Sequence, residues 1–264
     1  MNILRALLLF GFSSLVLAQE TSSSSTWEFG LGAGAIHAPD YRGSKESRTY
    51  GAPIPYVVYR GKFIQSDRDG VRGQFLQGDK LEFNLSMSAN VTPESHKNPL
   101  RRELQLPELG SSLELGPALN INLTGDSLRE GWMLSLPLRA VFSIGGDDRG
   151  YTGYVFQPQL VYLHQRNGWG MSFRSSLSYA SKEFHRYYYQ LPEELATEKY
   201  AAYNPDAGYS GWANQIAITR RIDNWRLAFF VRHDYLDGTE FEDSPLMETN
   251  HSIRSGVAII RSFR

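Results

Sequence analysis

The stretch Trp132–Ile144 reads WMLSLPLRAVFSI, and its side chains alternate between an apolar set and a mostly polar set. The apolar set is Trp132, Leu134, Leu136, Leu138, Ala140, Phe142 and Ile144, and the other is Met133, Ser135, Pro137, Arg139, Val141 and Ser143. Because successive side chains of a strand point to opposite faces, the pattern predicts a strand with one apolar face. Its length suits a tilted strand that crosses about 30 Å of hydrocarbon.

The same alternation recurs along the chain and predicts an all-β fold, a transmembrane antiparallel β-barrel. We expect strands at Trp27–His37, Tyr50–Tyr59, Lys80–Val91, Ser112–Thr124, Trp132–Ile144, Gly153–Gln165, Trp169–Ala180, Gly211–Arg221, Trp225–Tyr235 and Asn250–Phe263, with a hairpin over Lys62–Phe75 that turns at Asp69-Gly70. If both arms of the hairpin span the membrane, the barrel has about twelve strands, and otherwise about ten; either even number places both termini in the periplasm.

Prolines interrupt several of these segments, and proline cannot donate a ladder hydrogen bond. They are Pro53, Pro55, Pro117, Pro137 and Pro158. We therefore expect bulges in the strands that carry them, Tyr50–Tyr59 among them.

The connections alternate between short and long. Four short turns are expected in the periplasm, at Gln77–Asp79, Gly125–Gly131, Arg166–Gly168 and Ile222–Asn224, and the longer loops, at Ala38–Thr49, Thr92–Ser111, Gly145–Thr152, Ser181–Ser210 and Leu236–Thr249, lie outside. All five tryptophans then fall at strand ends, where aromatic residues mark the membrane boundary. A soluble β-sandwich is the alternative, but its buried tryptophans would tend to lie in mid-strand.

The N-terminal segment has the features of a secretory signal: Arg5, an apolar stretch from Ala6 to Leu17, and a cleavage site after Ala18. We expect a signal peptide over residues 1–18, a flexible leader over 19–26, and an outer-membrane barrel over 27–264. Export through a cleaved signal peptide would bring such a barrel to the outer membrane of a Gram-negative cell.

Composition excludes several classes of function. A net charge of −1 argues against a nucleic-acid partner, and the absence of cysteine excludes disulfides and thiol chemistry. A mean hydropathy of −0.37 is compatible with a barrel, because only every second strand residue has to be apolar. No cofactor motif occurs, and Asp147-Asp148 lacks the ligand spacing of a calcium loop, so neither a cofactor nor a metal site is expected.

A barrel enzyme would need a nucleophilic serine beside a histidine. The histidines are His37, His96, His164, His185, His233 and His251. None lies in a His-x-Ser pair, and His251 and Ser252 are adjacent and face opposite sides of a strand. We therefore expect no catalytic site.

Parity places charges of both signs in the lumen. The candidate network is Glu82, Glu114, Arg139, Arg174, Arg226, Arg232 and Asp234. Buried charges are tolerable when they are paired, which favours a plugged lumen. An open polar channel whose arginines favour anions is the alternative.

Three loop segments resemble the MipA/OmpV family of outer-membrane proteins, which takes part of its name from the MltA-interacting protein. They are Pro39-Asp40-Tyr41-Arg42-Gly43-Ser44, the loop from Tyr187-Tyr188-Tyr189 to Ala207-Gly208, and Tyr235-Leu236-Asp237-Gly238 with Asp243-Ser244-Pro245-Leu246. The resemblance implies an outer-membrane barrel that, in some members, is a scaffold between a murein lytic transglycosylase and a penicillin-binding protein. Other members are associated with adhesion or with envelope stress. The chain departs from the usual pattern where Arg264 follows the terminal aromatic Phe263.

The longest loop, Ser181–Ser210, is rich in tyrosine, and the candidate external contacts are Tyr187, Tyr188, Tyr189 and Tyr203. They form either a binding surface or a lid over the barrel mouth. We therefore interpret the chain as a non-enzymatic scaffold or adhesion protein, with outer-membrane lipids and murein enzymes as expected partners. A small-solute channel with an anion preference is the alternative.

Overall fold

The strands of the barrel form one antiparallel sheet in a computed structural model that describes residues 26–60, 64–67, 70–77, 80–90, 97–124, 128 and 130–263. Its segments are β1 Thr26–Pro39, β2 Ser47–Arg60, β3 Ile64–Asp67, β4 Gly70–Gln77, β5 Leu81–Asn90, β6 Ser111–Asn122, β7 Gly131–Ile144, β8 Gly150–Phe156, β9 Gln159–Arg166, β10 Trp169–Ala180, β11 Gly208–Ile222, β12 Trp225–Tyr235 and β13 His251–Phe263. The expected signal peptide, and the leader up to residue 25, lie outside the described residues.

The sheet closes on itself. β13 pairs with β1, with Phe263 opposite Phe29 and Ser255 opposite His37, and β10 pairs with β11. Each of the remaining strands pairs with the next along the chain, except that β8 and β9 do not pair with each other and both lie between β7 and β10. Pairing is therefore continuous around the ring, although within the described residues β2 and β3 share only two residue pairs. A closed sheet can satisfy its backbone polar groups within lipid.

The predicted alternation of exposed and buried side chains is confirmed, as β7 and β12 illustrate. In β7, Leu138 is 44% exposed on the outer face, whereas Arg139 is 7% exposed and faces the lumen. In β12, Phe229 is 44% exposed and Phe230 only 4%. The outer surface is therefore apolar and the lumen contains the polar side chains, as the period of a strand requires.

The expected single strand Gly153–Gln165 is instead two segments, β8 and β9, separated at Gln157 and Pro158. Both segments pair with β7 and with β10, so they occupy one position in the sheet. Pro158 has no N–H, and the break lies opposite Pro137, because Leu138 pairs with Phe156 and Ser135 with Gln159. Two prolines facing each other remove ladder donors on both sides.

The prediction of a bulge in the second strand is wrong. The register between β1 and β2 runs without a shift from Pro39 to Thr26, across Pro53 and Pro55. Two prolines that are two residues apart turn their nitrogens toward the same neighbour. Within the described residues only Tyr59 and Arg60 of β2 pair with β3, so this side of β2 has few ladder bonds for the prolines to interrupt.

The expected hairpin over Lys62–Phe75 is present as β3 and β4, in which Asp67 pairs with Gly70. Residues 68 and 69 lie outside the described part of the chain. β3 has 4 residues and β4 has 8. The number of strands that cross the membrane stays a prediction.

The two ends of the barrel differ, and we name them the turn end and the loop end. The turn end has the tight connections at Asn167-Gly168 and Asp223-Asn224, together with the start of β1 and the end of β13. The loop end has helix α1 (Pro99–Glu103), helix α2 (Lys182–Tyr189) and a 3-10 turn at Glu193–Leu195. None of the described helices is long and apolar enough to span a membrane.

Tryptophans lie near both ends of the outer face. Trp169 and Trp225 are exposed at the turn end, and Trp212 is exposed at the loop end. The guanidinium of Arg261 lies 5.7 Å from the ring centroid of Trp225, and that of Arg220 lies 4.9 Å from the ring of Trp169. Pairs of this kind suit a membrane interface, where the ring is in the apolar layer and the charge reaches water.

Candidate functional site

The long loops fold together into a cap with its own hydrophobic core, and we call it the loop cap. Its buried members are Tyr41, Leu100, Leu104, Leu109, Tyr188, Tyr189, Leu191, Leu236, Phe241 and Leu246. They come from four separate connections between strands. Burial of aromatic and aliphatic side chains is the main stabilising contribution to such a structure.

Tyr189 lies at the centre of the loop cap. Its ring stacks on Phe241 with 3.7 Å between centroids and an angle of 3° between planes. Its hydroxyl donates to the carbonyl of Arg42 at 3.0 Å, and its own carbonyl accepts from the Ser244 hydroxyl at 2.7 Å. Three loops thus meet at this one residue.

The other predicted tyrosines also pack within the loop cap. The Tyr187 hydroxyl accepts from the Gly110 amide at 2.7 Å and lies 2.8 Å from Ser143 Oγ. Tyr188 is 8% exposed. The Tyr203 hydroxyl donates to the Glu240 carbonyl at 2.9 Å. These contacts pack the tyrosines against other loops, and both the lid and the contact with an external ligand stay predictions.

Helix α2 places the three consecutive tyrosines. Ser181 begins it, with a side chain that accepts from the Phe184 amide, and Glu183 lies in the first turn. Both features stabilise a helix N-terminus. Burial raises the pKa of Tyr188 and Tyr189, and it lowers the pKa of His185, so all three side chains are neutral in the folded cap at neutral pH.

Two of the sequence motifs meet in the cap. The hydroxyl of Tyr41 donates to the carbonyl of Leu246 at 2.9 Å, and the amides of Glu248 and Thr249 donate to the carbonyl of Gly43 at 2.8 and 3.1 Å. Gly43 has a φ of +93°, a conformation that favours glycine. The two motifs are therefore contact surfaces for each other.

Helix α1 is tied to the first loop through Asn98. This side chain is fully buried; its amide donates to Asp40 and to Ser44, at 3.1 Å each, and its oxygen caps the helix by accepting from the Arg101 amide. Asp40 also pairs with Arg48 at 2.9 Å. Burial lowers the pKa of Arg101, whose guanidinium donates to the carbonyl of Pro107 at 2.9 Å.

Below the cap, the lumen contains a group of charges around Asp234. Arg232 donates to both carboxylate oxygens, at 2.8 and 3.0 Å, and Arg42 Nε lies 3.3 Å from Oδ1. Arg254 lies directly opposite Arg232 in the β12–β13 register and points Nη1 at Asn90 Oδ1, 3.5 Å away. Arg42 and Arg254 were not among the sequence candidates.

A second pair lies at mid-lumen. Arg139 Nε donates to Glu114 at 2.9 Å, Nη1 to Ser86 at 3.3 Å and Nη2 to Gln157 at 2.8 Å. Arg174, also a candidate, lies between Val161 and Gln215 in the register of β10 with its neighbours.

The charges nearest the turn end pair differently from the candidate list. Arg226 forms its ion pair with Glu28 and lies over the ring of Tyr56. Glu82 accepts from Asn84 and from Asn120. Glu28 could have been assigned to the lumen from the sequence, because Glu28 lies on the same face of the first strand as Gly30 and Gly32.

Two of the described histidines, His233 and His251, lie side by side, and two others have partners of different kinds. His233 Nε2 lies 3.0 Å from His251 Nδ1 on the outer face, His185 Nδ1 lies 2.6 Å from the Asp206 carbonyl, and His164 lies 3.5 Å from Glu130. Among the residues that the structure describes, no group of three or more His, Asp or Glu is placed to hold a metal ion.

The chain matches one protein family and resembles several solved structures at a distance. A sequence profile for the family described as MltA-interacting protein MipA matches residues 31–263. No curated protein matches the chain.

Among solved structures, an outer-membrane channel from Pseudomonas putida F1 is 13% identical with a TM-score of 0.36, over 94% of this chain and 100% of that one. The CymD monoaromatic hydrocarbon channel is also 13% identical with a TM-score of 0.36, over 90% and 88%. Pseudomonas putida OprB is 11% identical with a TM-score of 0.34, over 90% and 94%. These are distant likenesses and carry no argument about function.

Proposed function

Because the chain belongs to the MipA family of outer-membrane β-barrels, whose profile matches residues 31–263, we propose that it is a non-enzymatic scaffold in the outer membrane. Its partners in this proposal are a lytic transglycosylase, as the family name MltA-interacting protein suggests, and a penicillin-binding protein. One cuts murein and the other makes it, so a shared docking surface would keep the two activities together.

The observation that carries the proposal is the packed loop cap. Leu191, Leu236, Phe241 and Leu246 are at most 1% exposed within it, so the loop end is covered by side chains that face one another. A lumen covered in this way favours a role at the surface of the barrel over passage through it.

The turn end is the surface on which the proposed partners would dock. Both ends of the described barrel, Thr26 and Phe263, lie there, and in this proposal they face the periplasm, where murein enzymes work. Arg166, Asn167, Gly168 and Asp223 are exposed in the tight turns. The outer face of the strands, with exposed Leu138 and Phe229, contacts outer-membrane lipids.

Site-specific crosslinking in intact cells tests the proposal. A photo-crosslinking residue in place of Asn167, in the turn, should capture the transglycosylase or the synthase. The same residue in place of Glu198, exposed on the loop cap, serves as the matched control and should capture neither. Capture of murein enzymes from position 198 alone, or from neither position in a correctly assembled barrel, would contradict the scaffold.

A small-solute channel with an anion preference is the second candidate. It is favoured by lumen arginines that keep contact with solvent: the side chains of Arg42 and Arg232 are 20% and 19% exposed. Planar-bilayer recording distinguishes the two functions. The scaffold predicts a silent barrel, and the channel predicts conductance that increases when Phe241→Ala loosens the loop cap.

A further inference from the structure

Three arginines converge beneath the loop cap, and we call Arg42, Arg232 and Arg254 the arginine cluster. Arg42 reaches into the lumen from the first loop and donates to the carbonyl of Ser210. Arg232 and Arg254 face each other across β12 and β13. Arg254 lies within electrostatic range of both others. Like charges directly opposite each other in a sheet are destabilising.

The negative charge at this level of the lumen does not balance the cluster. Asp234 is 1% exposed and pairs with Arg42 and Arg232. The next carboxylate, Glu114, is engaged by Arg139. Within the described part of the chain Arg254 forms no ion pair, and its only hydrogen bond is the long one to Asn90. One carboxylate therefore serves three guanidinium groups.

The loop cap itself contains a further buried cation, Arg101, with Glu108 within electrostatic range of it. Arg101 is 3% exposed, and its guanidinium donates to the carbonyls of Pro107 and Tyr188. Neither acceptor has a full negative charge. An excess of buried positive charge is costly unless an anion compensates it.

An unused donor points to the same conclusion. The Nε atom of Arg254 is buried and has no hydrogen-bond partner among the described residues. That of Arg42 has the ion-pair contact with Asp234 at 3.3 Å. The side chains of Arg42 and Arg232 nevertheless keep about one fifth of their exposure, 20% and 19%, so a small solute in the lumen can contact them. Guanidinium groups bind oxyanions through two parallel hydrogen bonds.

We propose that the arginine cluster is a binding site for a small oxyanion of the phosphate class, held in the lumen beneath the loop cap. The anion supplies the negative charge that separates Arg232 from Arg254, and it accepts from the Nε–H group of Arg254, which has no partner among the described residues. The site is independent of the scaffold proposal, because it concerns the loop end and not the turns.

Thermal unfolding of the full chain in detergent tests the site. Inorganic phosphate, titrated at constant ionic strength against chloride, should raise the melting temperature in a saturable way. Arg254→Gln should weaken the apparent affinity at least about tenfold, because one charge-assisted hydrogen bond is lost. Arg261→Gln is the matched control on the same strand: Arg261 faces outward beside Trp225, and its substitution should leave the phosphate effect unchanged.

The source of the phosphate group is distinguished by a second titration with glucose 6-phosphate. Saturable stabilisation by inorganic phosphate alone identifies the free ion, and stabilisation by the sugar phosphate at lower concentration identifies a phosphorylated solute; both outcomes support the site. A second variant, which is expected to strengthen phosphate binding, distinguishes a lost site from a folding defect. Asp234→Asn removes the competing carboxylate, so it should bind phosphate more tightly than the unsubstituted chain. Equal effects of phosphate and chloride, or equal phosphate responses in Arg254→Gln and Arg261→Gln, would overturn the proposal.

Discussion

At the loop end, four connections are held together by side chains distant in sequence, whereas at the turn end the tight turns contact the strand beside them: the Arg221 amide donates to the Gly168 carbonyl at 2.8 Å and the Ser262 amide to the Asn224 carbonyl at 2.9 Å. Tyr41 bonds to Leu246 across a separation of 205 residues. Asn167 and Asp223, in contrast, adopt left-handed φ angles of 51° and 49° within turns between neighbouring strands. We therefore expect the loop end to unfold as one cooperative unit and the turns at the turn end to open independently of one another.

The largest effect is expected at the centre of the loop cap. Phe241→Ala should lower the free energy of cap unfolding by about 3–5 kcal/mol, because it removes a buried ring and leaves a cavity. Hydrogen exchange of the α2 amides should become faster, while the melting temperature of the strands changes little. Glu198→Ala, at an exposed position, is the control, and equal exchange rates in the two variants would show that the stacked rings do not hold the cap.

On the outer face of the barrel, the free-energy cost of an arginine substitution should depend on its depth in the bilayer. Leu138→Arg, in the middle of β7, should lower the free energy of folding in lipid vesicles by about 2–4 kcal/mol, whereas Tyr151→Arg at the loop-end rim should cost only about 0–1 kcal/mol. Urea titration of both variants measures the difference. Similar costs at the two positions would mean that Leu138 does not lie at the centre of the bilayer.

Coupling between charges should be stronger inside the barrel than on its cap. A double-mutant cycle of Glu114→Ala and Arg139→Ala should give a coupling energy of about 0.5–3 kcal/mol. The same cycle on the exposed pair Lys182 and Asp206, 2.7 Å apart, should give about 0–1 kcal/mol. If the cap pair coupled more strongly, the lumen would be as well solvated as the surface.

The smallest effect is expected at the turn end. Gly168 has a φ of +75°, so Gly168→Ala should cost about 1–2 kcal/mol of folding free energy through backbone strain. Gly51→Ala is the control, because an added Cβ there would have its nearest neighbour at 3.8 Å. The α2 amides should exchange at the same rate in both variants, and faster exchange in Gly168→Ala would show that the two ends are coupled.

The strand faces were predictable because they depend on a local rule. Arg139 and Asp234 could be assigned to the lumen from parity alone, and Glu28 obeys the same rule. Ion pairs were harder to predict, because parity says which face a charge is on but not which opposite strand it reaches. Arg226 therefore pairs with Glu28 of β1, a residue outside the predicted set.

The loop cap could be predicted only in part. The tyrosines of the Ser181–Ser210 loop were identified as important, but a lid and a binding surface have the same composition. Arg42 was missed because it lies in a loop, where no period assigns a direction to a side chain. Its position in the lumen depends on contacts with Ser210, Tyr189 and Asp234.

A two-residue period and short motifs were enough to predict the strands, the apolar face of each strand, a closed barrel and the family that the loop motifs resemble. The separation of β8 from β9 at Pro158 and the packing of the long loops into a cap above the arginine cluster became visible only in the folded molecule. These features arise from contacts between residues far apart in the chain, and such contacts form only when the closed barrel brings its loops to one end.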